Sequence, residues 1–485
     1  MADPKPTARA HGRSLADFPK LSVAETKLIA CARHGEGCEL DPKRPEEPTK
    51  ANTIRAGLIR FLALGGDDEN PVHERGVQLW GAWIRDQLDL TAAIATRRLD
   101  IQHTHFAEPI WAHDAHLPTL YLDGSHIPGL QADRCRITGG VHLRGGFKAT
   151  GEVSLVSAHI GGDLDCDGGS FENAGGDALN AQGATVKGGF IFRGMIKVES
   201  LVDLATAHVG SLVDDSASWP ENALILDGFV YDRITAGPTD AAKRIAWLNK
   251  QQSRFLNEYF HPQPWEQLIK VLREMGHGRD ADEVAIAKQH ALRAAGKIGT
   301  RAARTDFRFR WRRWLDARWN DLSNFVARRF HDIYGLLAGY GYRPVRILLW
   351  VIGLWAVSAL AFSTAAENGL MAPTNPVLHA HEAGANVNVT ACGANGDVQP
   401  PQYWVRCAGM PAEYTTFSPL GYAADMILPL VNLQQDSEWG PVVSNAKGPL
   451  YWGVVTRLLG WFDILSGWIV SLMFVAIVSR LVEKD

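Results

Sequence analysis

Few residues of this chain have both the type and the setting for chemistry. Asp463 stands inside an apolar stretch at about residues 458–479. A carboxylate inside a membrane span is costly and is by default a functional position. It lies five residues into that stretch, so it sits at headgroup level if residues 458–462 are interfacial. Cys31 and Cys38 flank His34, but six intervening residues and one histidine make a poor zinc pattern. Eight of the seventeen histidines, His103 and His105 among them, fall between residues 76 and 234 with no cysteine or paired carboxylate spacing around them. They read as surface residues ahead of metal ligands. There is no G-x-G-x-x-G after a strand, no G-x-x-x-x-G-K-[ST], no H-E-x-x-H and no G-x-S-x-G. No cofactor and no metal are expected, and the reading leans away from an enzyme.

The elements that must position these residues are hidden by the averages. The chain has 485 residues, 46% hydrophobic, with a net charge of -4, which suggests roughly three domains. Six cysteines are too few for a disulfide scaffold, and a near-neutral balance gives no reason to expect nucleic acid. The balance is a cancellation. Residues 76–234 hold 11 Lys/Arg against 20 Asp/Glu, and residues 239–346 hold 21 against 11.

Two apolar stretches, about 345–365 (its core broken only by Ser358) and 458–479, are each long enough to cross about 30 Å of hydrocarbon. Residues 301–346 carry eleven Arg and four acids, whereas residues 366–450 carry only Arg406 and Lys447 as cations. The positive-inside rule then puts both termini in the cytoplasm and the 366–450 loop outside. Residues 1–13 contain no apolar run, so no signal peptide is expected. Cys392 and Cys407 are the only cysteines of the outer loop and form a disulfide candidate; the other four should be free thiols. Ahead of the first span, Trp311, Leu315, Leu322, Val326, Phe330, Ile333 and Leu337 recur at steps of three, four or seven. Arg308, Arg312, Arg313, Arg318, Arg328 and Arg329 fill positions between them, and Trp314 belongs to the same candidate membrane surface. Such a helix is expected to lie in the headgroup plane of an anionic leaflet.

From residue 76 to about 234, apolar residues recur every five or six positions, and a small residue often stands two before: Ala82/Ile84, Ala92/Ile94, Ala115/Leu117, Ser125/Ile127, Cys135/Ile137, Ala158/Ile160, Ala184/Val186, Ala207/Val209. Gly140-Val-His-Leu-Arg144 returns as Gly189-Phe-Ile-Phe-Arg193, and Ala158-His-Ile-Gly161 as Ala207-His-Val-Gly210, both 49 residues on. A fixed offset is the mark of a repeat architecture. The pattern resembles the pentapeptide-repeat family, over about a third of the chain. The resemblance implies a right-handed quadrilateral β-helix with both members of each pair pointing inward. It also offers DNA mimicry as a use for the acidic surface; a solvated face is the plainer reading. The Gly pairs at 139–140, 145–146, 161–162 and 175–176 are expected at corners with positive φ. Two short helices should cap the start, one opened by the capping box Ser22-x-x-Glu25 and one over residues 53–64.

Residues 236–300 read as a helical hairpin similar to one tetratricopeptide unit, more a joint than a peptide-binding module. Between the spans, residues 416–433 are apolar but too short to cross. Span, re-entrant segment, span with a mid-helix glycine (Gly467) and a basic exit together resemble two-transmembrane pore-loop channels. Where a potassium filter would sit the chain has Leu428, Pro429, Leu430, Val431, Asn432, Leu433 and Gln434, without the glycines that let successive carbonyls line a pore. An amphipathic helix lying on the outer face is an equal alternative for this segment.

The fold class expected is therefore mixed: an N-terminal helical cap (1–66), the β-helix (67–235), the connector (236–300), basic interfacial helices (301–344) and an α-helical two-span module (345–485). Function is expected to be that of a bacterial inner-membrane pore or effector gated through the β-helix, or of a non-catalytic scaffold. Proteins resembling the whole layout are often labelled membrane-associated oxidoreductases, which is carried as a third possibility. The partners expected are anionic lipids, further copies of the chain (two spans cannot enclose a pore alone) and an unidentified protein bound by the β-helix.

Overall fold

The computed structural model describes residues 14–299, 310–374, 404–406, 414–445 and 448–482, with backbone alone over 310–317, 406, 445, 448–449 and 478–482. The chain divides into two compact units, Met1–Ala302 and Ala303–Asp485.

The first unit is a β-solenoid of about seven turns. One inward column shows why the sequence winds this way. Val77, Leu99, Leu120, Val141, Leu164, Phe190, Leu212 and Ile234 stack in parallel register, one per turn, and none is more than 4% exposed. Burying each such side chain is worth about 1.5–3 kcal/mol. Val141 and Phe190 lie two turns apart in this column, so the 49-residue offset in the sequence is two turns.

A second column marks a corner. Ala92, Asp114, Arg134, Ser157, Gly183, Thr206 and Gly228 all take positive φ, between 52° and 76°. At most of these corners a small residue follows and points inward, and so does the residue two beyond it. This holds for Ala115/Leu117, Cys135/Ile137, Ala158/Ile160, Ala184/Val186 and Ala207/Val209; after Gly228 the inward residues are Phe229 and Tyr231. In the turn at residue 92 the expected pair is out of frame by one. Ala92 is itself the corner and Ile94 is 68% exposed, while Ala93 and Ala95 are buried.

The glycine pairs also differ from expectation. Only Gly145 and Gly146 take positive φ. Gly161 is needed for close approach instead, since a Cβ there would lie 2.2 Å from the Thr138 carbonyl oxygen of the turn below. Gly175 and Gly176 sit in the strand Ser170–Asn180 where its pairing register slips.

Both ends of the stack are covered. At the start lie α1 (Val23–His34) and α2 (Ala56–Ala63). Ser22 and Glu25 form a capping box on α1. Residues 53–55, expected as helix, instead pair as a strand with 83–85. Arg55 from this strand forks onto Glu25 at 2.6 and 2.7 Å, which ties the cap to the first turn.

At the other end lie α3 (Ala241–Asn249), α4 (Ser253–Leu256), α5 (Gln263–Glu274) and α6 (Gly278–Ala294). These helices pack on the last turn. Gln267 donates to the Tyr231 carbonyl at 2.7 Å and Gly228 donates to Gln263 at 2.8 Å. Arg244 of α3 forks onto Asp214 at 2.7 and 2.8 Å, and Trp219 donates to the same carboxylate. Both charged side chains are 1% exposed.

The second unit is helical: α7 (Arg310–Ala338), α8 (Pro344–Glu367), α9 (Pro419–Ile427), α10 (Gln435–Glu438) and α11 (Tyr451–Val482). Two of these, α8 and α11, are long and apolar enough to cross a membrane, and only 22% of each apolar window is buried against the rest of the chain. A core helix of a soluble protein would be mostly buried. The two run antiparallel, with Ile347 packing against Met473 and Ile477 at one end and Ser358 meeting Asp463 further along. The strand Met371–Pro373 pairs antiparallel with Trp439–Pro441 at the other end. The expected second span lies inside α11, which begins seven residues earlier.

Candidate functional site

The candidate site lies where α8, α9 and α11 meet. The short helix α9 starts at Ser418, whose side chain caps Gly421 N, with Pro419 in the first turn. It then packs on both long helices at mid-length. The Trp355 indole, halfway along α8, donates to the Leu420 carbonyl at 3.0 Å. The Phe362 and Tyr422 rings meet edge-to-face at 4.7 Å. At its C-terminus the Ile427 carbonyl abuts Gly467, where a Cβ would come within 2.0 Å of it. Gly467 is thus a docking point for α9 in a continuous helix. One turn earlier on α11, Asp463 is fully buried and accepts from the Ser358 hydroxyl at 2.9 Å, while its second carboxyl oxygen has no partner among the described residues.

The expected pore loop follows α9 directly. Leu428 caps the helix, and the chain turns back because Asp425 gathers three backbone N–H groups: Leu433 at 2.7 Å, Gln435 at 2.8 Å and Asp436 at 3.0 Å. Asn432 closes the turn by accepting from Gln434 N at 2.8 Å, and Gln434 adopts a left-handed conformation. Asp425 is 8% exposed, yet the loop it anchors is open. Leu428, Leu430, Val431, Asn432 and Gln434 are exposed, Leu430 at 90%, and Pro429 is half-buried. Among the described residues, none covers the apolar tip of this loop. Gly467 and Asp463 therefore come together with the end of α9, and the loop side chains face away.

The other expected positions are scattered. Arg308, Cys392 and Cys407 lie outside the described residues. Trp311, Arg312, Arg313 and Trp314 fall in the first turns of α7. Further along α7, Arg329 stacks over Phe325, and Trp319, Leu322, Phe325, Val326, Phe330 and Ile333 are all more than half exposed. Arg328 is on the same helix.

In the solenoid the acids are used locally. Arg134 forks onto Asp114, Arg144 bridges Asp123 and Asp165, and Arg193 pairs with Asp167, each one turn from its partner or nearly so. The buried thiols are inert: burial pushes Cys38 and Cys135 up to about 12 and Cys166 well above its usual value. Burial, with His126 and Arg44 nearby, lowers His105 to about 4; its ring stacks on Trp83 at 3.8 Å and meets His126 at 4.9 Å. No group of three or more metal-ligating side chains occurs among the described residues.

Sequence reasoning had not singled out Asp425, Trp355 or Tyr422. Asp425 was visible as the one carboxylate in the apolar segment 416–433, and Ser358 as the one break in the first apolar run. The fold defines a class: a β-solenoid joined in sequence to a unit with two helices fit to cross a membrane, which suits a membrane-associated protein. Compared with known proteins, the chain matches no family model, no curated protein and no solved structure.

Proposed function

We propose that this is a bacterial inner-membrane protein whose C-terminal helices assemble into an oligomeric pore, with the β-helix as the cytoplasmic part that senses or binds a partner. The observation that carries this reading is α9. It sits between two apolar helices at mid-length, its C-terminus against Gly467, and the chain then turns back in a fixed loop. A helix lying on the outer face would not reach that depth: Gly467 is sixteen residues beyond Tyr451, about 24 Å along α11 at 1.5 Å per residue. The exposed Leu430 and Val431 suit a ring of loops around a symmetry axis, where apolar side chains form a constriction that gates by dewetting rather than a carbonyl filter. The basic flank of α8 and the basic exit of α11 support cytoplasmic termini. The exposed apolar stripe of α7 supports a headgroup-level helix. A right-handed quadrilateral winding is the form that the family resemblance favours for the solenoid.

Purified full-length protein in planar bilayers is expected to pass current, and Leu430→Asn to raise its open probability by wetting the constriction. A folded oligomer that stays silent, with wild-type loop and with Leu430→Asn alike, removes the pore. The second reading is a membrane-anchored scaffold. It is favoured by a solenoid on which arginines pair with acids of neighbouring turns at several places while the acids outnumber the cations by 20 to 11. Recovery of one partner that depends on residues 76–234 and not on the 428–434 loop would select it.

A further inference from the structure

We propose that Asp463 is a proton-binding site inside the apolar helix pair, taking up and releasing one proton at its free carboxyl oxygen. The inference rests on the membrane reading of α8 and α11 given above, and does not need conduction. Asp463 and Ser358 are both 0% exposed. The Ser358 hydroxyl serves one carboxyl oxygen, and the other is buried without a hydrogen-bond partner among the described residues. An ionised carboxylate held by a single neutral hydrogen bond in an apolar site is among the most expensive arrangements a protein can bury. Protonation removes that charge and breaks no other bond.

Among the described residues, the surroundings supply no countercharge. Between Arg346 and Glu367, α8 has no titratable group. On α11 the nearest cation is Arg457, six residues away, which donates to the Pro441 carbonyl. The titratable groups of α9 are Tyr422, whose phenol is within electrostatic range of Asp463, and Asp425, which is occupied by three backbone N–H groups. The C-terminal carbonyl of α9 lies against Gly467, one turn from Asp463. The partial negative charge of a helix C-terminus opposes a carboxylate beside it and favours the proton. A monovalent cation would need more oxygen ligands than Asp463, Ser358 and one carbonyl provide.

The test is covalent labelling of the full-length protein in liposomes with a hydrophobic carbodiimide, to which a protonated carboxyl group adds through its oxygen while its proton passes to the carbodiimide nitrogen, read by mass of the Asp463 peptide. Labelling is expected at neutral pH, falling about tenfold per pH unit above a midpoint that lies well above ~4, the ordinary aspartate value. Ser358→Ala removes a hydrogen bond to the charged form and should raise the midpoint by about one unit. Labelling confined to pH below ~4, or a midpoint that Ser358→Ala leaves in place, overturns the proposal. Protection by sodium or potassium at fixed pH also overturns it, in favour of a cation site. The readout is on the wild-type peptide, so no variant at Asp463 has to fold. Silent bilayers with pH-dependent labelling would remove the pore and keep the proton site.

Discussion

Gly467 of α11 and Ile427 of α9 touch backbone to backbone: a Cβ on the glycine would stand 2.0 Å from the isoleucine carbonyl oxygen. No side-chain rotation can relieve that approach. Gly467→Ala should therefore push α9 off α11, at an overpacking cost of about 1–3 kcal/mol, although alanine is the better helix former by ~1 kcal/mol. Faster proteolysis within residues 428–434 at unchanged helix content is the expected outcome. An unchanged cleavage rate would mean that α9 does not depend on this contact.

The buried pair Asp214–Arg244 joins the last turn of the solenoid to α3. Removing one partner strands the other charge, so Arg244→Ala should cost about 3–5 kcal/mol in unfolding of the first unit. Replacing both residues with apolar ones of similar volume should cost much less. Urea unfolding of the three proteins, followed by tryptophan fluorescence from Trp219 and Trp247, checks this. Equal losses in the single and double variants would contradict it.

His105 gives the first turns of the solenoid an acid sensitivity. Its folded value is lowered to about 4, against about 6.5 for a free histidine. A depressed value means that the unfolded chain takes the proton first. The stability from this ring is then complete above pH ~6.5 and is lost as pH falls towards 4. The melting temperature should drop over that window, and His105→Gln should flatten the drop. The same slope in both proteins would place the sensitivity elsewhere.

Cys392 and Cys407 are expected to be linked, and the other four cysteines to be free. In native protein, alkylation should be slow at Cys38, Cys135 and Cys166, whose burial holds them as thiols. After denaturation without reductant, four thiols should react, and after reduction six. Six reactive thiols before reduction would count against an oxidising location for the 366–450 loop.

The solenoid was legible because its inner wall accepts only certain sizes at certain steps, and Ala115/Leu117 or Ala184/Val186 state that rule in sequence. The rule misled at Ala92, where the corner residue is itself small and stands in a run of alanines, so that the true inward pair, Ala93 and Ala95, is displaced by one from the expected one. The glycine pairs misled because Gly161 serves closeness between turns, which leaves the same residue type as a corner does. Asp463 could not be placed because the start of α11 at Tyr451 carries no sharp apolar signal; seven further residues move the carboxylate from the rim to the interior. Asp425 was invisible as an anchor because its partners are backbone N–H groups, which no side-chain pattern records.

The helices at the two ends of the solenoid have a further consequence. Each turn offers the next a full row of parallel hydrogen bonds, so an uncovered last turn is a template of indefinite reach. The α3–α6 cap, held by the Asp214–Arg244 clasp, covers that row. A chain ending near Ala236 would expose that row at one end only, since α1 and α2 still cover the other, and pairing of two truncated stacks through their open ends would be its nearest route to burying it.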